Sequence, residues 1–244
     1  MRYHLEAWYN YKMEKRGAKP QGKVKIKWSP EFTYALGLLA TDGNLSPDGR
    51  HITFTSKDLE LVRLFNKCLG IKTHIGRKSS GSEGDKKYFV IQFGDVLFYN
   101  FLISIGITPR KSLTLGSVNV PQKYFRDFVR GCLDGDGSFY SYWDPRWRSS
   151  FMFYTEFISA SKTHILWLQR RIKQLLDISG HITTSRKKNS WYQLKYAKKE
   201  SLKLFQVLYY NKDVVCLSRK RIKIEKAFRV DKNARVAKLV DVAA

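Results

Sequence analysis

The chain has little of what staples small proteins together. Three cysteines, Cys68, Cys132 and Cys216, stand alone in apolar contexts, with neither the even count nor the paired spacing of a disulfide or zinc framework. A reducing, intracellular compartment is therefore expected, and an organelle or a bacterial or archaeal cytoplasm fits equally. Five histidines, His4, His51, His74, His164 and His181, are scattered without zinc-ligand spacing. They also offer no histidine general base and no His-Asn-His nuclease pattern. No apolar run reaches the roughly 18 residues that span a bilayer, and the opening MRYHLEAWYNYKMEKR is not a signal peptide.

Acid is the scarcest charge. Lys plus Arg number 45 against 21 Asp plus Glu, a formal net charge of +24 over 244 residues. The excess runs from Lys12 to Lys238 among aromatic and β-branched residues, so a folded body carries it. Nucleic acid is the first polyanion to consider. A membrane surface competes, but no basic amphipathic anchor with a clean apolar side is present.

Against that background two segments resemble each other. FTYALGLLATDGNL (32–45) and YFRDFVRGCLDGDGSF (124–139) are helical apolar stretches, each carrying a glycine and closing on Asp-Gly. An aspartate at a helix C-terminus meets the negative end of the macrodipole, so two such placements call for a cation. The same order of elements follows each one. In the first copy a strand, HITFTS, precedes a helix ending at Gly70, a hairpin around SSGSEG and a helix ending at Gly106. In the second, FYSYW and SFMFYTEFISAS precede a helix ending at Gly180, a hairpin from HITTSRK to SWYQLKYA, and the helix KESLKLFQVLYY. Gly70 to Lys111 is 41 residues and Gly180 to Lys220 is 40.

These units predict an α+β fold of duplicated α-β-β-α-β-β-α halves related by a pseudo-two-fold axis. The expected divisions are a basic lead (1–29), a first repeat (30–115), a linker GSVNVPQK (116–123), a second repeat (124–228) and a tail (229–244). Gly37 with Thr41, and Gly131 with Gly135, give small residues four apart on each Asp-ended helix. That spacing lets two helix backbones approach closely, which would bring Asp42 and Asp136 to one point.

ALGLLATDG (35–43) and VRGCLDGDG (129–137) resemble the two motifs of LAGLIDADG homing endonucleases in their single-chain form. The resemblance covers about residues 30 to 228 and includes the unit order. Copy one departs at the sixth motif position, where Ala40 replaces an acid that copy two keeps as Asp134. The eighth position, the family's metal ligand, is Asp42 or Asp136. The resemblance implies two four-stranded antiparallel saddles around a central helix pair, and a monomer acting as a pseudo-dimer. It further implies hydrolysis of one phosphodiester per DNA strand, with short 3′ overhangs. Mg²⁺ is the implied ion, held by Asp42, Asp136 and the carbonyls of Thr41 and Gly135; Mn²⁺ would substitute, and Ca²⁺ would bind without turnover. PRKS and SRKR occupy equivalent positions after each unit's last helix, and the resemblance points Lys111 and Lys220 toward the scissile phosphates. Ser56 and Ser161, each ending a strand and followed by Lys, would order water.

The strands carry Lys, Arg, Gln, Thr, Ser and Tyr at alternating positions, which puts one face on the core and the other toward a partner. Strands of about nine residues at ~3.3 Å each match about nine base pairs, so two saddles would read on the order of twenty. Expected double-stranded DNA contacts are Arg77, Lys78, Lys87 and Gln92 in copy one. Copy two offers Arg146, Arg148, Arg186, Lys188, Gln193 and Lys195. The basic lead and the trailing RKRIKIEKAFRVDKNAR (219–235) are expected along the flanking backbone or mobile. The alternatives are an intron-RNA maturase and a non-catalytic DNA-binding regulator, neither of which needs two metal carboxylates. An intein is disfavoured, because no splicing block or terminal His-Asn is present and the chain begins at Met1.

Overall fold

The computed structural model describes residues 20, 22–79, 87–147, 150–185 and 191–243, with side chains to residue 233. Local chemistry sets the element ends. Helix α1 (Pro30–Asp42) starts where the Ser29 hydroxyl accepts from Phe32 N–H at 3.1 Å, with proline in its first turn. It stops at Gly43, whose extended backbone leads into β1 (Gly43–Leu45). There follow β2 (His51–Ser56), α2 (Leu59–Leu69), β3 (Gly76–Lys78) and β4 (Tyr88–Gly94). Gly70 closes α2 in the left-handed region at φ 65°, as the sequence signal requires. Helix α3 (Val96–Ser104) is capped by Asp95, whose other oxygen accepts from Lys23 and Val24 N–H and pins the incoming chain. The short α4 (Lys111–Thr114) ends the first set.

After a 3-10 turn (Gln122–Tyr124), the order repeats as α5 (Phe125–Asp134), β5 (Ser138–Trp143), β6 (Phe151–Ser159), α6 (Lys162–Leu176), β7 (His181–Thr184), β8 (Tyr192–Tyr196) and α7 (Lys198–Leu208). A long α8 (Ser218–Ala243) closes the chain. Two antiparallel sheets result, with strand orders β1-β2-β4-β3 and β5-β6-β8-β7. The orders are identical, so duplication extends to topology.

Helix α1 is buried all round from Phe32 to Ala40, which makes it a central element rather than a surface one. It lies against α5. Each sheet puts alternate residues on this core: Ile52, Phe54, Ile91 and Phe93 from the first, Phe139, Phe153, Phe157 and Leu194 from the second. Their partners on the opposite faces are the polar positions considered below.

The trailing basic segment differs from expectation. It is helical, and α8 runs unbroken past residue 228. Ile224, Ala227, Phe228 and Asp231 recur at helical spacing on one face. Ile224 and Ala227 are buried, and Phe228 sits 5.4 Å from Phe153 and 5.6 Å from Phe205. Asp231 is buried and pairs with Lys198. The dense charge on the outer face hides this stripe in the sequence. Residues 1–19, most of the basic lead, lie outside the described residues. Among the described residues no helix is long and apolar enough to cross a membrane.

Candidate active site and nucleic-acid interface

The site is built by the crossing of α1 and α5. A Cβ at Gly37 would stand 2.3 Å from the Phe128 carbonyl oxygen, and one at Gly131 would stand 2.2 Å from that of Tyr34. The backbones touch, and only glycine fits at either position. Toward the helix ends the approach continues, since a Cβ on Gly135 would lie 2.0 Å from Thr41 Oγ1 and 2.9 Å from Asp42 Oδ2. The close packing therefore delivers Asp42 to the last turn of the opposite helix.

There the Asp42 and Asp136 carboxyls lie close enough to influence each other's ionisation. Burial, and then the Asp136 charge beside it, push the Asp42 carboxyl up from 3.8 to about 7. Asp136 reaches solvent, yet the protein atoms around it cost its charged form hydration, and its carboxyl is raised too. Two acids held this close to each other and to helix C-termini favour a shared proton or a cation. Among lysines, the larger influence on Asp42 comes from Lys220 and on Asp136 from Lys111. Each carboxylate thus feels most strongly the lysine of the other copy.

Both lysines are brought to the site, and both sit on carbonyl oxygens. Lys111 is 6% exposed, and its Nζ donates to Thr41 O at 2.9 Å. It starts α4 directly after Arg110, which is left-handed at φ 54°. Lys220 Nζ donates to Leu133 O (2.6 Å), Asp134 O (2.8 Å), Gly135 O (3.3 Å) and Gly137 O (2.7 Å). This ammonium gathers orphan carbonyls at the α5 C-terminus. Burial lowers both lysines, Lys220 to about 8.

Ser56 ends β2 as expected, but Ser161 does not end a strand: β6 stops at Ser159, and Ser161 is the N-cap of α6. The counterpart of Ser56 is Ser159, whose hydroxyl accepts from Ser161 N–H at 3.1 Å. Ser56 Oγ accepts from Asp58 N–H at 3.2 Å. Ser161 is buried; its hydroxyl caps α6 by accepting from His164 N–H (3.4 Å) and lies 2.5 Å from Leu115 O. That hydroxyl is engaged by the chain itself. A small cavity lined by Thr41, Cys132, His164 and Ile165 adjoins Asp136.

No family model and no curated protein sequence matches the chain. Solved structures do. The I-LtrWI LAGLIDADG homing endonuclease bound to target DNA superposes with a TM-score of 0.53 at 12% identity, over 87% of this chain and 96% of that one. Meganuclease I-SmaMI bound to uncleavable DNA gives 0.52 at 13%, over 82% and 91%. Full-length DUF199/WhiA from Thermatoga maritima gives 0.51 at 16%, over 91% and 70%. The chain has the LAGLIDADG fold.

In this LAGLIDADG fold the outer faces of the two sheets differ. On the first, Asn44, Thr53 and Gln92 lie side by side in register, with Lys78 opposite Tyr88 at the edge. Gln92 and Lys78 are exposed there, whereas Lys87 immediately precedes β4. Arg77 takes the opposite parity and covers the Phe89 ring at 4.8 Å. It belongs to the edge of the inner face.

The second sheet carries a tyrosine stack that charge-based reasoning missed. Tyr140 lies 5.4 Å from Tyr154 and 6.4 Å from Tyr142, with rings nearly parallel. Lys195 Nζ sits over Tyr140 and Tyr154 and pairs with Glu156 at 3.0 Å. Gln193 faces Thr183, whose hydroxyl donates to its Oε1 at 3.1 Å. Arg146, 80% exposed, is held by Asp144 near the β5–β6 turn. The alternation in FYSYW and FMFYTEF was the available signal for the stack. Arg148, Arg186 and Lys188 lie outside the described residues.

Proposed function

We propose that this protein is a site-specific double-stranded DNA endonuclease of the intron-homing kind, cutting one phosphodiester per strand with short 3′ overhangs. The observation that carries this reading is the juxtaposition of Asp42 and Asp136 at the joined ends of α1 and α5. A scaffold that only held nucleic acid would gain nothing from two converging carboxylates, both raised by burial and the Asp42 carboxyl further by the Asp136 charge.

The donors fit a hard divalent cation. Two carboxylates converge, and the carbonyls of Thr41 and Gly135 already attract ammonium ions at 2.9 and 3.3 Å. Among the described residues no cluster of three His, Cys, Asp or Glu forms. A pair of acids suits magnesium, which keeps several waters and accepts phosphate oxygens. When bound, such an ion supplies Lewis acidity for the attacking water and the leaving oxygen. Asp42 and Asp136 would hold it with the Thr41 and Gly135 carbonyls. For the ion to enter, Asp42 must lose the proton that burial and Asp136 favour. Lys111 and Lys220 would then turn from the carbonyls to the scissile phosphates, where their charge offsets that developing in the transition state.

The two sheet faces supply the grip. Gln92, Gln193 and the tyrosine hydroxyls offer groups for base edges, and Lys78 and Arg146 offer charge for phosphates. The net charge of +24 makes binding fall steeply with salt. We read the active form as a monomer, because both halves of the site come from one chain.

The test is a cleavage selection on a duplex library containing intron-insertion sites, with Mg²⁺ against Ca²⁺. Asp42→Asn and Asp136→Asn serve as controls. One site cut on both strands in Mg²⁺ alone, and lost in either variant, is the expected result. Tight duplex binding without cutting would return a DNA-binding regulator. Preference for a structured intron RNA would return a maturase.

A further inference from the structure

Helix α5 carries two buried charged residues one turn apart, Arg130 and Asp134, each 1% exposed. Neither side chain takes part in the site as described. Together they reach the end of α7 and the connector 209–217 that leads to α8. Arg130 Nε donates to Val215 O and Nη1 to Leu208 O, both at 2.8 Å, while Nη2 pairs with Asp127 at 2.7 Å. Asp134 Oδ2 accepts from Leu217 N–H at 2.7 Å and from Tyr34 Oη–H at 2.8 Å. Leu217 is fully buried, and its own carbonyl accepts from the N–H groups of Lys220 (3.0 Å) and Arg221 (3.2 Å). It is the residue from which the first turn of α8 hangs. Lys220 then returns to α5, and one of its acceptors is the carbonyl of Asp134 itself.

The first copy lacks this circuit. Leu36 and Ala40 stand where Arg130 and Asp134 do, and Lys111 donates to a single motif-helix carbonyl, Thr41 O. We propose that Asp134 is a positioning residue for Lys220, fixing the first turn of α8 through the Leu217 N–H so that the ammonium stays at the α5 terminus beside Asp136. The clamp serves one of the two cleavage centres and not the other. The strand-specific part of this proposal rests on the endonuclease reading. The coupling of Asp134 to Lys220 does not. Among nearby acids, Asp134 has the largest upward influence on the Lys220 ammonium, which agrees with the geometry.

A merely structural Asp134 would stabilise both halves alike, so the test compares the lysines within one molecule. The full chain is reductively methylated without DNA, and modification of Lys220 and Lys111 is followed by mass spectrometry. Asp134→Ala is expected to raise the rate at Lys220 by about fivefold with Lys111 unchanged, the gain given by losing one buried hydrogen bond. Asp134→Asn should restore protection, because its amide oxygen can still accept from Leu217 and Tyr34. Should Asp134→Ala fail to fold, Asp134→Ser replaces it, its hydroxyl being too short to reach the Leu217 N–H. Equal acceleration at both lysines, or none at Lys220, overturns the proposal.

A second arm uses duplex labelled separately on each strand. Lys220→Met defines the strand that Lys220 serves, and Asp134→Ala should slow the same strand by about tenfold to a hundredfold through misplacement. Slowing of both strands equally overturns the one-centre clamp. Undiminished cutting by Lys220→Met would instead sink the role given to Lys220 in catalysis, and the methylation result would still decide the clamp.

Discussion

The two motif helices bring their aspartates to one place but end differently. Helix α1 runs through Asp42, whereas α5 stops at Asp134, two residues before Asp136, so the sequence reading of a helix ending on the site aspartate holds only for the first. The two ends are also held by different chemistry. In the first copy the chain after α3 is seated by apolar side chains. Ile105 and Ile107 are buried, Gly106 turns at φ 99°, and the Ile107 N–H closes on Leu102 O at 2.9 Å. Leu36 and Ala40 face inward from α1 without polar atoms on their side chains. In the second copy the equivalent chain is held by Arg130, Asp127 and Asp134, with Tyr210 Oη–H also donating to Asp127 at 3.2 Å. Apolar seating is non-directional and tolerates small shifts. A buried polar network fixes one arrangement, and removing one member leaves the others without partners. Matching motifs do not require matching construction. The difference predicts which half is brittle.

The largest effect should be blind to that difference. Asp42→Asn or Asp136→Asn should each lower cleavage by about a thousandfold or more, since each removes a charge from the shared cation site. Rates measured on each labelled strand would show it. Retention of full cutting on one strand in either variant would mean that the two centres do not share their carboxylates. Stability comes next. Gly131→Val places side-chain atoms where even a Cβ stands 2.2 Å from a backbone oxygen, and a loss of more than ~3 kcal/mol is expected from overpacking that cannot relax. Gly116→Ala, where a Cβ meets nothing within 4 Å, is the control in the same urea titration.

The brittle half is probed directly by Arg130→Met. It removes the buried ion partner of Asp127, leaving that carboxylate only the Tyr210 hydroxyl and Arg126 at 4.0 Å, and should cost ~3–5 kcal/mol, whereas Arg130→Met with Asp127→Leu should recover a large part of that loss. Equilibrium unfolding of the single and double variants measures it. Additive losses would mean that the pair is not a unit.

Titration separates the site from the clamp. The folded-state values of Asp42 and Asp134 are raised from 3.8, to about 7 and about 6. Each group therefore contributes stability that is complete below about pH 4 and is lost as pH rises through the folded value. Without divalent cation, the unfolding free energy should fall from about pH 4 to pH 7 by a total on the order of 2–4 kcal/mol, read as a falling melting temperature. Asp42→Asn should flatten the curve up to pH 7, and Asp134→Asn only up to about pH 6. Mg²⁺ should raise the melting temperature more at pH 8 than at pH 6, because proton and cation compete for Asp42.

The fold was legible because duplication repeats its own punctuation. Gly70, the two Asp-Gly pairs and the 41- and 40-residue intervals fix the element order without any structure. Gly180 is not the cap expected of it: α6 stops at Leu176, and Asp177 takes the left-handed cap position at φ 50°. Gly37 and Gly131 announced the helix crossing. What stayed hidden depends on contacts distant in sequence. Asp134 to Leu217 spans 83 residues and Tyr34 to Asp134 spans 100, and no local pattern marks either. The apolar stripe of α8 was masked by the charge around it. The tyrosine stack was visible as alternation, but a search for cationic contacts passes over uncharged rings.

The smallest effect tests whether the two saddles hold DNA alike. Lys78 is exposed at the edge of the first sheet, where it is opposite Tyr88 and makes no ion pair among the described residues. Lys195 lies within the second sheet, already paired with Glu156 and seated over two tyrosine rings. A lysine that neutralises a phosphate on binding releases a counterion, so its loss should flatten the dependence of log K on log salt by about one. Lys78→Met should do this. Lys195→Met should leave the slope nearly unchanged, because its charge is spent on Glu156 before DNA arrives, while weakening binding through the unpaired carboxylate it leaves behind. Fluorescence anisotropy across a salt series on the selected site would read both. Equal slope changes would show that the Lys195–Glu156 pair opens on binding, and that the second saddle is no more preorganised than the first.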